Sequence, residues 1–228
     1  MPLADEVPVV ACIDVGSPKA GGVGWAVMDG ERIQTGNLLP ELILTLSTFL
    51  REHRRIALGF ECPLYVPVGR PILAMTQCRV GEKLTWCVGA GAAVLAIGLA
   101  QVHWVLSGLQ KRADSKLKGT SRWDSWANGD CSLLLWEAYI PQSEGIEAPA
   151  HVLQSSSPHE RDAAAGAWAF QARMAQTSPM VSDFGEEEVL SLLGLQLLNT
   201  GLSDDLALLS DRCLVIKARK PHGEEPLK

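Results

Sequence analysis

The first apolar segment of the chain is a β-branched run, residues 9–13, that ends in a single carboxylate at Asp14. A glycine-rich turn follows, and a second apolar segment covers residues 23–28. Two apolar runs joined by such a turn predict a β-hairpin. Because a packed core has no use for an isolated charge, Asp14 on the central strand is a candidate ligand for a metal ion or a phosphate group.

Apolar runs and amphipathic segments alternate further along the chain, which predicts an α/β protein. Short apolar runs between turn signals predict strands at residues 32–37, 56–60 and 132–139. Helical spacing predicts helices at 40–54 and 159–176, the second following a helix-start signal at 155–158. The tail adds predicted helices at 186–199 and 203–210 and an edge strand at 213–216.

Residues 84–110 contain no Asp, Glu, Lys or Arg, so this segment is long enough and apolar enough for a membrane span. Its middle, however, is made of glycine and alanine, and polar residues follow. That composition favours a helix that packs tightly against a sheet. We therefore expect no membrane partner, with the membrane span as the alternative.

Composition and charge narrow the class of protein. With 228 residues of which 47% are hydrophobic, the chain can form one domain with a sizeable core, residues 1–228, and is neither disordered nor fibrous. A net charge of −6 argues against a general nucleic-acid-coating protein, although not against a nuclease. Six cysteines without a Cys-x-x-Cys spacing and an N-terminus unlike a signal peptide predict reduced thiols, no zinc and a cytoplasmic location.

Four acidic residues stand at predicted strand ends or near a helix start, although they are far apart in sequence: Asp14, Glu61, Glu137 and Asp162. Strand ends of neighbouring parallel strands meet at one edge of a sheet. We therefore expect several of these carboxylates to converge. Each also has an ordinary structural interpretation, as a turn cap, a helix-dipole partner or a solvated strand end.

Three motifs make the chain resemble the RNase H-like superfamily over about residues 8–175. They are the hairpin acid Asp14, the acid before Pro-Leu in Glu61-Cys62-Pro63-Leu64, and the late helix with His159-x-x-Asp162-Ala163. RuvC-type junction resolvases and a family of uncharacterised predicted nucleases resemble it most, and Glu137 before Ala-Tyr-Ile-Pro also fits the latter. The chain departs from this pattern at Glu61, where the predicted nucleases more usually have Asp.

The resemblance implies an RNase H-like fold: a mixed sheet of about five strands flanked by helices, a Gly/Ala-rich helical insertion and a C-terminal helical extension at about 180–220. It also implies a nuclease that uses Mg²⁺ or Mn²⁺ for phosphodiester cleavage. In that interpretation Asp14, Glu61 and Asp162 are catalytic metal ligands, Glu137 is an accessory ligand, and His159 assists the attacking water.

Two other functions are compatible with the same residues. The acids of an RNase H-like module that binds nucleic acid or protein would be vestigial. The glycine turn after Asp14 also resembles the first phosphate loop of actin-like phosphotransferases, but these have a second lobe for which 228 residues leave too little chain.

A basic stretch with neighbouring tryptophans is a candidate nucleic-acid contact, comprising Lys111, Arg112, Lys116, Lys118, Arg122 and Trp123. A solvated charged loop is the alternative. Trp126 shares this polar setting, whereas Trp25, Trp86, Trp104, Trp136 and Trp168 are expected in the core. The sequence is compatible with a monomer or a dimer.

Overall fold

The computed structural model of the chain describes residues 7–83, 85–113, 116–141, 148–154, 157–176, 180–185 and 188–218. The strands are Val9–Asp14 (β1), Gly24–Asp29 (β2), Arg32–Gly36 (β3), Ile56–Glu61 (β4), Tyr65–Pro67 (β5), Gly119–Thr120 (β6), Leu133–Tyr139 (β7), Val189–Ser191 (β8) and Val215–Lys217 (β9). The α-helices are Leu39–Arg51 (α1), Ala90–Arg112 (α2), Trp123–Ala127 (α3), Pro158–Gln176 (α4) and Leu192–Asn199 (α5). Short 3₁₀ turns cover Pro18–Ala20, Ile72–Ala74 and Leu206–Ser210.

The central sheet has the strand order β3-β2-β1-β4-β7-β6, and β9 also pairs with β7. The first three strands form antiparallel pairs, whereas β1, β4, β7, β6 and β9 pair in parallel. The protein is thus α/β with a mostly parallel central sheet between helices. The sheet has seven strands where about five were expected, because the very short β6 and β9 both pair with β7.

Side chains alternate along β1 and so divide the core between the two faces of the sheet. Val9, Ala11 and Ile13 belong to a core shared with α1, α2 and α5, whereas Val10 and Cys12 belong to a core shared with α4. Helix α4 comes close to the sheet because it presents small residues. A Cβ added to Gly166 would stand only 2.7 Å from the sulfur of Cys12.

Helix α2 contains the charge-free segment and lies on the other face. Of the helices in the described part of the chain, it alone is long and apolar enough to cross a membrane, and 33% of the segment that meets this test is buried. Its inner face packs against α1, α5 and β4. A Cβ added to Gly98 would stand 2.5 Å from the sulfur of Cys62, so the small residues allow this close approach.

The C-terminal part differs from the prediction in detail. Where a helix was expected over 186–199, Val189–Ser191 forms β8, which pairs with β5, and α5 begins only at Leu192. The second predicted helix, 203–210, is a 3₁₀ turn. Parts of the predicted ranges 155–158, 186–199 and 180–220 and of the basic stretch lie outside the described residues.

Candidate active site

The parallel register brings three of the predicted acids to one edge of the sheet. Asp14 ends β1 directly opposite Glu61, which ends β4. Glu137 lies opposite Phe60 on the next strand, β7. The first turns of α4 add His159 and Asp162 beside them, and all of these side chains line one cavity of about 720 Å³. The expected convergence of the acids is therefore present.

Helix α4 reaches Asp14 because β2 begins with a glycine. A Cβ added to Gly24 would stand 2.2 Å from the carbonyl carbon of His159, so only glycine lets the helix start lie this close. The result is a hydrogen bond between His159 Nδ1 and Asp14 Oδ2, 2.6 Å long. The His159 side chain is 41% exposed and the Asp14 side chain 13% exposed.

Burial raises the pKa of Asp14 to about 6. The hydrogen bond and the charge of His159 act in the opposite direction, and the neighbouring Asp162 raises the pKa further. The pKa of Asp162 is also raised by burial, with His159 and Arg161 lowering it. Both carboxyl groups therefore hold a proton more readily than in water.

Of the acids in the cavity, Glu61 has the fewest contacts that stabilise its charge. Its Oε2 atom is enclosed and has no hydrogen-bond partner in the described part of the chain. Burial raises its pKa well above the ordinary value, and the charges of Asp14 and Asp162 raise it further. An enclosed carboxylate oxygen without a hydrogen-bond partner destabilises a fold, and acids of this kind with raised pKa are common at functional sites.

Glu137, on the neighbouring strand β7, has a different environment. Its Oε1 and Oε2 accept hydrogen bonds from Arg79 Nη2 at 2.6 Å and Nη1 at 2.9 Å, and Leu64 N donates to Oε2 at 2.9 Å. Arg79 and Leu64 both lower the pKa of Glu137, opposing the larger effect of burial. These contacts engage both oxygens, so Glu137 is the ion-pair partner of Arg79 in this structure, and its expected role as an accessory metal ligand stays a prediction.

Arg79 was not anticipated from the sequence. It is 2% exposed, also binds Glu82, and lies over the rings of Tyr65 and Phe184 at 4.8 and 5.2 Å. It sits in the irregular loop between β5 and α2, where no periodicity marks a residue as buried. The only available signal was the three-residue spacing between Arg79 and Glu82, which is too common to be specific.

The basic stretch lies away from the cavity. Lys111 and Arg112 end α2, whereas the cavity is lined by its first turns, at Ala90 and Gly91, roughly 30 Å away at 1.5 Å per residue. Helix α3 lies at the opposite end of the parallel strands from the acids, since Arg55, just before β4, donates to the carbonyl oxygens of Trp126 and Ala127.

Acidic residues of the C-terminal region balance part of this charge. Lys116 pairs with Asp204 at 2.8 Å, and Arg122 pairs with Asp205 at 2.6 Å and with Asp211. Lys118 is exposed. The half-buried Trp123 packs against Trp126 and Phe170, with ring centroids 5.2 and 6.4 Å away. The stretch and the cavity therefore do not form one continuous surface.

Two tryptophans differ in burial from what the sequence predicts. Trp126, from the polar segment, is 1% exposed, and Trp104, from the apolar segment, is 48% exposed.

The acids of the cavity are not arranged as a complete metal site in this structure. Among the described residues, no three or more His, Cys, Asp or Glu side chains are already arranged to hold a metal ion. Comparison of the chain with protein-family models, curated proteins and solved structures found no match.

Proposed function

We propose that this chain is an RNase H-like, divalent-metal-dependent phosphodiesterase that cleaves nucleic acid at the cavity containing Asp14, Glu61 and Asp162. The observation that carries this proposal is the enclosed Glu61 Oε2, which has no hydrogen-bond partner in the described residues, beside two further acids of raised pKa. The RNase H-like assignment is supported by the hairpin that carries Asp14, the parallel β4 that carries Glu61, and the packing of α4 on β1 and β2.

The donor set suits a hard divalent cation. Carboxylate oxygens are the ligands that Mg²⁺ and Mn²⁺ prefer, and Mg²⁺ keeps several waters, so two or three carboxylates suffice without a closed cage. A cation would supply the counter-charge that Glu61 lacks. The residues that would hold it are Glu61, Asp14 and Asp162, which line the same cavity. When bound, such a cation polarises a phosphodiester oxygen and lowers the pKa of a bound water.

His159 is placed to handle a proton beside these acids. Its Nδ1 is tied to Asp14, which fixes the plane of the ring, and its Nε2 lies on the side of Gly22, where an added Cβ would stand 3.9 Å from it. The missing side chain at Gly22 thus leaves room for a water or a phosphate oxygen next to Nε2. A half-exposed imidazole oriented by a carboxylate can accept or donate a proton there.

Binding of Mn²⁺ tests this proposal independently of any substrate. Titration of the protein with Mn²⁺, followed by the electron paramagnetic resonance signal of the free ion, should show saturable binding. Asp14→Asn and Asp162→Asn should each weaken it about 10-fold or more, because each removes a charged ligand. Asp124→Asn, an exposed acid on α3, is the matched control and should bind as the unaltered protein does. Binding that is absent, or equal in all variants, would refute the proposal.

Cleavage is the second part of the test. The unaltered protein with Mn²⁺ should cut at least one of single-stranded, duplex or branched DNA or RNA, and the Asp14→Asn variant should not. A non-catalytic binding module is the competing function, favoured by the absence of ready-made metal geometry among the described residues. It predicts no Mn²⁺ binding and no cleavage, so the same titration separates the two.

A further inference from the structure

Trp86 lines the same cavity as the acids. It lies in the loop before α2, is half-buried, and shares its part of the lining with Lys83 and the first turn of α2. Its indole Nε1 is enclosed and has no hydrogen-bond partner in the described part of the chain. Like Glu61 Oε2, it is a polar atom that the fold removes from water without compensation. Two such atoms on residues of one cavity are typical of a site that binds a ligand.

The turn that carries Trp86 is anchored on both sides of this residue. Thr85 Oγ1 and Cys87 Sγ both donate to the carbonyl oxygen of Thr76, at 2.9 and 3.4 Å. A Cβ added to Gly91 would stand 2.3 Å from the carbonyl oxygen of Thr85, so glycine at this position lets the turn pack against the start of α2. The backbone on either side of the indole is therefore fixed before a ligand arrives, which reduces the entropy lost on binding.

The charges around the cavity disfavour a ligand that is held by its phosphates alone. Arg79 is engaged by Glu82 and Glu137. Outside this ion-paired group and apart from His159, the ionisable acids and bases of the described lining are three acids and one lysine: Asp14, Glu61, Asp162 and Lys83. A divalent cation would neutralise the acids, but the described lining has no row of cations that could follow a phosphate backbone. Affinity for a nucleotide therefore has to come from its base as well.

The shape of the site selects against a duplex. The cavity has a volume of about 720 Å³, the size of a small-ligand site. The Asp14 side chain is 13% exposed, so a phosphate has to enter the cavity to reach it. An unpaired nucleotide can enter together with its base, whereas the bases of a duplex are paired inside a rigid rod. The basic stretch that could hold a duplex lies roughly 30 Å away along α2 and is partly ion-paired.

We propose that the cavity recognises an unpaired nucleotide, whose base stacks on the indole of Trp86 and whose phosphate reaches the acids. Tyr139, the other aromatic residue of the described lining, is already occupied, since Phe184 packs against its ring at 4.9 Å and Lys217 lies 5.9 Å from it. Stacking on an aromatic ring accepts every base, because every base has a π-face. The substrate class is therefore single-stranded nucleic acid without strong sequence preference. This inference rests on the proposed function for the cleavage step, whereas the base site needs no metal ion.

Binding measured without a metal ion tests the base site separately from cleavage. Fluorescence anisotropy of a labelled short single strand is followed in EDTA at about pH 5, where protonation of the acids limits their repulsion of phosphate. The single strand should bind about 10-fold more tightly than a duplex of the same sequence. Adenosine, which is uncharged, should compete with the single strand, and inorganic phosphate at the same concentration should not.

Variants of two tryptophans assign the binding to this cavity. Trp86→Ala should weaken binding of the single strand about 10-fold or more, because stacking on the indole is lost. Trp86→Phe keeps an aromatic ring and should retain most of the affinity. Trp104→Ala removes an exposed tryptophan that does not line this cavity, so it is the matched control and should bind as the unaltered protein does. Circular dichroism checks that each variant folds.

Several outcomes would overturn this inference. They are absence of binding, equal affinity for single strand and duplex, competition by phosphate but not by adenosine, and a Trp86→Ala variant that binds normally. The Mn²⁺ titration reports on the acids separately. Base binding that depends on Trp86, without Mn²⁺ binding, would refute the proposed function and leave the base site intact. Mn²⁺ binding that depends on Asp14, without a Trp86 effect on the single strand, would refute only the base site.

Discussion

Glu61 is half-buried and Glu137 is fully buried on the neighbouring parallel strand, and their polar surroundings are opposite. Glu137 accepts hydrogen bonds from Arg79 and from the Leu64 amide, so its charge is matched. Glu61 has an enclosed oxygen with no hydrogen-bond partner in the described residues, and its nearest charged neighbours include Asp14 and Asp162. The same residue type at the same sheet edge thus forms an internal ion pair in one place and an uncompensated acid in the other.

This difference between the two glutamates distinguishes a residue that stabilises the fold from one that is available to bind a ligand. Removing a charge from water costs free energy, and Arg79 offsets that cost for Glu137 by hydrogen bonds and by charge. Among the described residues, none offsets that cost for Glu61 in this way. Sites that bind a ligand are commonly less stable than they would be with neutral residues, because their groups are arranged for the ligand. The comparison therefore predicts opposite effects on stability when each glutamate is neutralised.

The largest effect is expected when the compensated region loses its cation. Arg79→Met leaves Glu82 and Glu137 buried together without a counter-charge, and breaking a buried pair in this way costs about 3–5 kcal/mol of unfolding free energy. Urea titration at neutral pH measures this loss. Arg112→Met, at the exposed end of α2, is the control and should change little. If Arg79→Met is too unstable to titrate, Arg79→Lys should give an intermediate loss. A loss below about 1 kcal/mol in both variants would contradict the assignment, since exposed pairs contribute that little.

Neutralising the two glutamates should change the free energy of unfolding in opposite directions. Glu137→Gln leaves Arg79 partly unpaired and should lower the unfolding free energy by about 1–3 kcal/mol. Glu61→Gln removes a partly enclosed acid that neighbouring carboxylates repel and should raise the unfolding free energy by about 1 kcal/mol. Paired urea titrations at pH 7 measure both changes. Mn²⁺ should stabilise the unaltered protein and Glu137→Gln but not Glu61→Gln. Equal signs for the two variants would remove the distinction on which the proposed site rests.

The ionisation of Asp14 makes the stability of the fold depend on pH, which gives a further test of the same comparison. Its pKa is about 6 in the folded protein against an ordinary value of 3.8, so the folded state retains a proton that the unfolded state has lost. Its unfavourable contribution is therefore absent below about pH 4, grows as the pH rises, and is complete above about pH 6, where it reaches on the order of 3 kcal/mol. Glu61, whose pKa is also raised, acts in the same direction.

Asp14→Asn should thus match the unaltered protein in stability near pH 4 and exceed it at pH 7. Thermal unfolding between pH 4 and pH 8 measures the difference. Asp124→Asn on α3 provides the control, with a difference from the unaltered protein that does not vary in this way. A constant gap between Asp14→Asn and the unaltered protein across the range would show that Asp14 does not ionise against a cost.

Local sequence patterns predicted the parts of this site that depend on local order. The hairpin, the strand ending at Glu61 and the alanine-rich helix each have a periodicity or a composition that one segment reveals. The convergence of their acids needed only the rule that ends of parallel strands meet. What Glu61 and Glu137 have as neighbours was not predictable, because Arg79 reaches Glu137 from an irregular loop 58 residues away in sequence.

The same limit explains the errors in burial and in secondary structure. Trp104 lies in an apolar segment, but it faces outward because α2 buries only one side. Trp126 lies in a polar segment, but the short α3 turns it into the core against Trp123. Val189–Ser191 is a strand rather than part of a helix because β5 offers it a pairing partner. Each outcome depends on distant residues that a local pattern does not contain.

The smallest effect is expected in the basic stretch, whose ion pairs are exposed. Arg122 is balanced by Asp205 and Asp211, so Arg122→Ala should change stability within the error of a urea titration. For the same reason it should leave the salt dependence of single-stranded oligonucleotide binding unchanged. Lys118→Ala is the matched variant, and it should lower the slope of log affinity against log salt by about 0.7 if the exposed Lys118 contacts a phosphate. An equal decrease for Arg122→Ala would mean that nucleic acid displaces the two aspartates, and the basic stretch would then become part of the substrate path.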